Sequence, residues 1–194
     1  LKTAAAVISL LSLGALAHAE GNVENGRTSG STCLGCHGIK GYRNAYPSYR
    51  VPKLGGQKET YLVDALKGYR DGSRQHTTMN AQAVSMTDQQ IEDVAAYFAS
   101  LADEVTEGSE GQSLEVATTC VACHGQNGIG LSPAWPTIAG QHEDYLVHAL
   151  QQYREGTRKN VIMAGFAAQL SDADIALLAR YYASLDGLET TARE

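Results

Sequence analysis

Cys33-Leu34-Gly35-Cys36-His37 and Cys120-Val121-Ala122-Cys123-His124 hold all four cysteines of the chain. Two thiols three positions apart, with an imidazole directly after the second, have several chemical uses. A thioredoxin-like pair cycles between dithiol and disulfide, but in a βαβ setting that surrounds neither pair. Two pairs can share a zinc ion, yet such pairs usually stand roughly 15–20 residues apart; here 83 residues separate Cys36 from Cys120. Structural disulfides would leave the two histidines unexplained. Attachment of c-type haem uses all three side chains. The thiols add to the two porphyrin vinyl groups, and the next residue, His37 or His124, then lies under the iron as its proximal ligand. Two covalent haem c groups are expected.

The second axial ligand is read from the three methionines, Met79, Met86 and Met163. Met79 and Met163 stand at matching places, each eight residues before Thr87 or Ser171, in segments read as irregular. They are expected to ligate the two irons. Met86 aligns with Leu170 and reads as core. His76 lies near Met79, but the second half has Val161 and no histidine there. His142 and His148 face Lys58 and Asp64 in the first half and read as surface or helix residues. A His/Met pair raises the reduction potential and leaves no open coordination position.

These residues recur because the chain is a repeat. The Cys motifs are offset by 87, and everything from Pro52 onward is offset by 84. Pro52 through Gln57 returns as Pro136 through Gln141. Tyr61, Leu62, Ala65, Leu66, Tyr69, Arg70, Gly72 and Arg74 return as Tyr145, Leu146, Ala149, Leu150, Tyr153, Arg154, Gly156 and Arg158. Ile91, Ala95, Tyr97 and Leu101 return as Ile175, Ala179, Tyr181 and Leu185. Tyr61 through Tyr69 has helix spacing, with Gly72 as a stop; Ile91, Val94, Ala95, Phe98 and Leu101 form a second stripe. Thr87 with Gln90 has the form of a capping box, and Ser171 with Asp174 a weaker one. A short helix of small residues is expected before each Cys pair. No segment alternates like a strand, so the fold class is all-α. Domain one is placed at 20–104 and domain two at 105–194, with a polar linker from Asp103 to Gly111.

Lys2, an apolar run from Ala4 to Ala17 and the Ala17-His18-Ala19 end read as a secretory leader over 1–19. It is either removed, giving Glu20 as the mature start, or kept as a membrane anchor. The 194 residues are 43% hydrophobic and 19% charged, which suits packed domains. With 15 basic against 21 acidic residues, the net charge of −6 disfavours a nucleic-acid partner. The charge is uneven. Lys40, Arg43, Arg50, Lys53 and Lys58 follow the first haem motif, whereas no Lys or Arg lies between His124 and His142. A basic rim at haem one would steer an acidic partner, and the uncharged rim of haem two would suit an apolar contact.

With these motifs in place, the sequence resembles class I cytochromes c, and the dihaem cytochrome c-four family in particular. The resemblance covers nearly all of the chain after the leader. It rests on the two C-x-x-C-H units, the Pro-containing segments at Pro52 and Pro136, the Tyr-Arg-x-Gly runs at Tyr69 and Tyr153, and Met followed by a capped helix. It implies two tandem class I cytochrome c domains related by a pseudo-twofold axis, with haem edges meeting between them. It assigns Cys33, Cys36, His37 and Met79 to haem one and Cys120, Cys123, His124 and Met163 to haem two, with Pro52 and Pro136 near the His ligands. Tyr42, Tyr46 and Tyr49, in an expanded segment of half one, read as haem-pocket and core packing. The resemblance further implies a periplasmic electron carrier, taking electrons from a quinol-cytochrome c reductase to a cytochrome c oxidase. The alternative is a dihaem subunit of a dehydrogenase such as a flavin-containing sulfide dehydrogenase. A dihaem enzyme would need an open iron, which two equivalent methionines argue against.

Overall fold

The computed structural model describes residues 20–102 and 114–191. The leader at 1–19 and the linker expected from Asp103 to Gly111 lie outside these residues.

Half one contains α1 (Val23–Ser29), α2 (Leu34–His37), α3 (Glu59–Asp71), α4 (Thr77–Ala83) and α5 (Asp88–Ala99). Half two contains a 3-10 turn (Glu115–Ala117), α6 (Val121–His124), α7 (Glu143–Glu155), α8 (Val161–Ala167) and α9 (Asp172–Ser184). Among the described residues there is no strand, only isolated bridges. The short helix expected before each Cys pair is therefore present in half one as α1. In half two the described residues hold only the 3-10 turn.

Each element starts and stops where its residues dictate. Gly72 and Gly156 end α3 and α7 in the left-handed conformation, at φ of 81° and 76°, where any side chain would be strained. Both expected capping boxes form, Thr87 with Gln90 and Ser171 with Asp174, and the second is as complete as the first. Gly26 on α1 is buried against the backbone of Asp93 on α5, an approach that leaves no room for a Cβ. The apolar stripes of α3 and α5 close one core around Leu62, Val94, Ala95 and Phe98, with Met86 packed against it. The second core is built from Leu146, Leu178, Ala179 and Tyr182.

The two halves grip each other through reciprocal contacts between equivalent residues. The Gln57 side chain donates to Thr137 O and accepts from Thr137 N, both at 2.9 Å. Gln141 does the same to residue 53, accepting from Lys53 N at 2.9 Å and donating to Lys53 O at 3.0 Å. The partners are related by the 84-residue offset, so the exchange obeys a pseudo-twofold axis. Arg74 and Arg158 pair across that axis as an antiparallel bridge. The end of the chain adds an asymmetric strap. Leu188 N donates to Ala139 O in its own half, and Glu189 exchanges backbone hydrogen bonds with Gly55 of the other.

This interface corrects several expectations. Three of the five basic residues after the first haem motif turn toward the other half rather than forming an open rim. Arg43 and Arg50 lie at 3.0 and 3.9 Å from the Asp144 carboxylate of half two, and Lys53 Nζ donates to Gly140 O. Their charge is used between the halves. His148 is a helix residue of α7 and His142 is that helix's N-cap, but neither is plainly on the surface: both are half-buried, and His148 stacks on Tyr49 with centroids 4.1 Å apart. Of the three tyrosines read as packing, only Tyr49 is buried, at the interface; Tyr46 is 96% exposed.

Candidate functional site

Each Cys pair occupies one helical turn. Cys33 is the N-cap of α2, and its carbonyl accepts from Cys36 N and His37 N. Cys120 repeats this with Cys123 and His124. A single turn brings the i and i+3 thiols to one side and leaves the imidazole next to them. All four thiols are unpaired and half-buried, and burial pushes Cys33 and Cys120 up, keeping them neutral. No group of three His, Cys, Asp or Glu able to hold a metal occurs among the described residues.

The two histidines share one geometry. His37 Nδ1 lies 2.9 Å from Pro52 O, and His124 Nδ1 lies 2.8 Å from Pro136 O. A carbonyl only accepts, so Nδ1 carries the hydrogen and Nε2 presents its lone pair, the tautomer a metal needs. Burial holds both imidazoles below the usual histidine range, hence neutral. The prolines therefore stand beside the histidines and fix them through a carbonyl that the rigid ring positions.

Met79 and Met163 are not in irregular segments. Each is the third residue of a short helix, α4 or α8, where an N-cap side chain satisfies its free N–H. Met79 N donates to His76 Nδ1 at 3.3 Å, and Met163 N to Asn160 Oδ1 at 3.0 Å. The counterpart of His76 is thus Asn160, not Val161, and His76 serves as a cap. Its Nε2 is also engaged, 3.2 Å from Asn44 Oδ1. Arg70 and Arg154 of the Tyr-Arg runs hold the loops behind these helices. Arg70 donates to Met86 O and Asp88, and Arg154 to the equivalent Leu170 O and Asp172.

Two free thiols on a turn, a neutral imidazole with its Nδ1 hydrogen committed, and a methionine on a capped helix fit haem c, once in each half. The chemistry such a group supplies is one-electron transfer between Fe(II) and Fe(III). The two sites differ in their surroundings. Phe98 lies edge-on to His37, at 6.4 Å, whereas half two has Tyr182, whose buried hydroxyl lies against the Cys120 thiol. The exposed face of α8 is apolar, with Val161 92%, Ile162 61% and Phe166 38% exposed. The matching positions of α4 are Thr77, Thr78 and Gln82.

Sequence reasoning did not find the interface residues Gln57, Gln141, Arg74 and Arg158. Their signal was in the repeat: polar residues recurring at equivalent positions without being expected haem ligands.

The cytochrome c family pattern matches this chain twice, over residues 23–102 and 108–186. A cytochrome c4 of Pseudomonas aeruginosa is 35% identical, the match covering 95% of this chain and 98% of that protein. A thiosulfate dehydrogenase electron acceptor of Stutzerimonas stutzeri is 31% identical over 81% of each chain. The crystal structure of reduced recombinant cytochrome c4 from Pseudomonas stutzeri superposes with a TM-score of 0.65 at 32% identity, covering 87% of this chain and 100% of that one.

Proposed function

This chain belongs to the cytochrome c family, in its dihaem cytochrome c4 branch, and carries two covalent haem c groups; from that premise we propose that it moves electrons through the periplasm from a quinol-oxidising complex to a terminal oxidase. In this reading His37 and Met79 ligate one iron, and His124 and Met163 the other. The observation that carries it is the duplicated His–Pro clamp and capped Met helix. With His and Met both given to each iron, no position would be left for a substrate, and the protein's part would be to hold these ligands still and exclude water. Domain one is assigned to 20–104 and domain two to 105–194, a division supported by the two family matches at 23–102 and 108–186. No single helix among the described residues is long and apolar enough to cross a membrane. Any membrane attachment is assigned to residues 1–19.

A second reading is favoured by the Stutzerimonas stutzeri relative, which accepts electrons from thiosulfate dehydrogenase by its name. Here the donor is a periplasmic dehydrogenase, thiosulfate- or sulfide-oxidising, and the haem chemistry is unchanged.

A spectroscopic redox titration of the holoprotein, followed by reduction kinetics with each donor class, tests both. Two low-spin haems with the near-infrared Met-to-iron band are expected, and rapid reduction by a quinol-cytochrome c reductase. High-spin iron without added ligand would overturn the ligand assignment. Reduction by the dehydrogenase alone would select the second reading.

A further inference from the structure

The last long helix of each half carries an aromatic ring into its haem site at the same place in the repeat. Phe98 of α5 and Tyr182 of α9 are related by the 84-residue offset, and both are buried, at 2% and 3% exposed. Phe98 lies in the core that Cys33 borders, and Tyr182 in the core that Cys120 borders. The two rings differ by one oxygen. The Tyr182 hydroxyl is buried, and among the described residues no oxygen or nitrogen partners it. Its ring is fixed in place. Tyr181 meets it edge-on at 5.0 Å, Gly128 makes room for it by lacking a Cβ, and Tyr182 O accepts from Gly140 N at 2.9 Å. What lies against the hydroxyl is the Cys120 sulfur. The first cysteine of each pair has a threonine hydroxyl at its thiol, Thr32 or Thr119, and of the two only Cys120 has a second, from Tyr182. Burial, then Cys120, hold the phenol above the usual tyrosine range, so it keeps its proton and can donate. A buried hydroxyl without a strong acceptor is costly, and Phe98 shows that the packing does not require one.

Haem attachment changes that sulfur. The Cys120 thiol adds across a vinyl double bond: sulfur bonds to one carbon, the thiol hydrogen ends on the other, and no oxidant or reductant is consumed. A thiol can give or accept a hydrogen bond, whereas a thioether sulfur only accepts. The tyrosine is then the donor, and its O–H dipole turns its positive end toward the porphyrin edge. We propose that Tyr182 is a positioning residue for haem two: its hydroxyl donates to the Cys120 thioether sulfur and raises the haem two potential, a contact that Phe98 cannot make at Cys33. This rests on haem c being bound covalently in half two. The sign follows from charge. The oxidised iron carries one more positive charge than the reduced iron, so the positive end of a nearby dipole disfavours the oxidised form. The site is buried, so water screens the dipole poorly.

The test uses the full holoprotein. Pyridine haemochrome, whose band position reports thioether bonds as well as haem count, should give two haems and four thioethers; a shortfall in the parent overturns the dihaem reading, and this proposal with it. In a redox titration the haem two step is the one that Met163→Ala displaces. Tyr182→Phe should lower that step and leave the haem one step in place, with both Met-to-iron bands intact. A lowered step by itself does not separate a dipole from packing, so resonance Raman of the C–S stretch supplies a second reading. In the parent, exchange into D2O should shift a C–S band that Tyr182→Phe no longer shifts. Unchanged potentials overturn the proposal. So does a lowered potential with the same deuterium response as the parent, because the ring then acts by packing alone. Phenylalanine already fills the matching place in half one, so the variant has a shape that the fold accepts. Should it still fail to fold, Thr32→Val with Thr119→Val decides, since Tyr182 is then the one hydroxyl left at either first sulfur. A remaining deuterium-sensitive C–S band supports the hydrogen bond, and its absence overturns it.

Discussion

Met79 and Met163 sit at equivalent positions, yet their helices are capped differently, by His76 and by Asn160. Replacing either methionine by alanine should halve the Met-to-iron near-infrared band and lower the potential of that haem alone. Met86→Leu, in the core of half one, should leave both spectra unchanged. His142 offers a pH test. Burial, then the Lys53 and Arg50 charges, push its imidazole down to about 4. In the unfolded chain it titrates near ~6.5. Below that pH the unfolded state binds a proton that the interface refuses. Stability is therefore fully present above ~6.5 and is lost as pH falls toward 4. His142→Gln should remove this part of the acid slope when the denaturant midpoint is followed against pH. An unchanged slope would mean that the imidazole stays free of the Lys53 and Arg50 field.

At the scale of the elements, α4 and α8 are seven-residue helices whose hold on the methionine depends on one N-cap bond each. Asn160→Ala removes that acceptor and should cost about 1 kcal/mol. It should also let an added ligand such as imidazole displace Met163 at lower concentration, which a binding titration at haem two would read. These helices were the least legible part of the sequence. Seven residues give too little periodicity to tell a helix from a loop, and Thr77-Thr78 and Val161-Ile162 begin them with β-branched residues that favour helix poorly. The long helices α3, α5, α7 and α9 were legible because stripe, cap and stop all agreed. The Cys-His turns were legible because attachment chemistry fixes their spacing. The use of Arg43, Arg50 and Lys53 between the halves was not, since their partners lie 87 to 101 residues away, at Gly140 and Asp144, and charge alone does not say whether it meets solvent or a neighbouring domain.

Over the whole molecule, Gln57 and Gln141 each satisfy both backbone groups of one residue in the other half. Gln57→Ala leaves Thr137, 3% exposed, with an unpaired N–H and C=O. The loss should be about 2 kcal/mol of docking, read as a second, lower-temperature transition in calorimetry as the halves separate before they unfold. A single unchanged transition would mean that the strap from Leu188 to Glu189 holds them by itself. The same interface decides how partners approach. Arg43, Arg50 and Lys53, three of the five cations that distinguish half one, are held against Asp144 and Gly140, so charge is a weaker mark of the two ends than the sequence suggested. What separates them is α8, where Val161, Ile162 and Phe166 expose an apolar face beside Met163, against Thr77, Thr78 and Gln82 beside Met79. Exposed apolar surface at a site of electron exchange is what a transient redox interface buries. Ile162→Lys with Phe166→Lys should slow electron exchange with the partner of haem two several-fold at every ionic strength, with both haem spectra intact. Thr78→Lys with Gln82→Lys, at the matching places, should leave that partner's rate nearly unchanged. Stopped-flow kinetics on the two double variants separates the ends, and equal slowing by both would show that the apolar face of α8 is not where that partner docks.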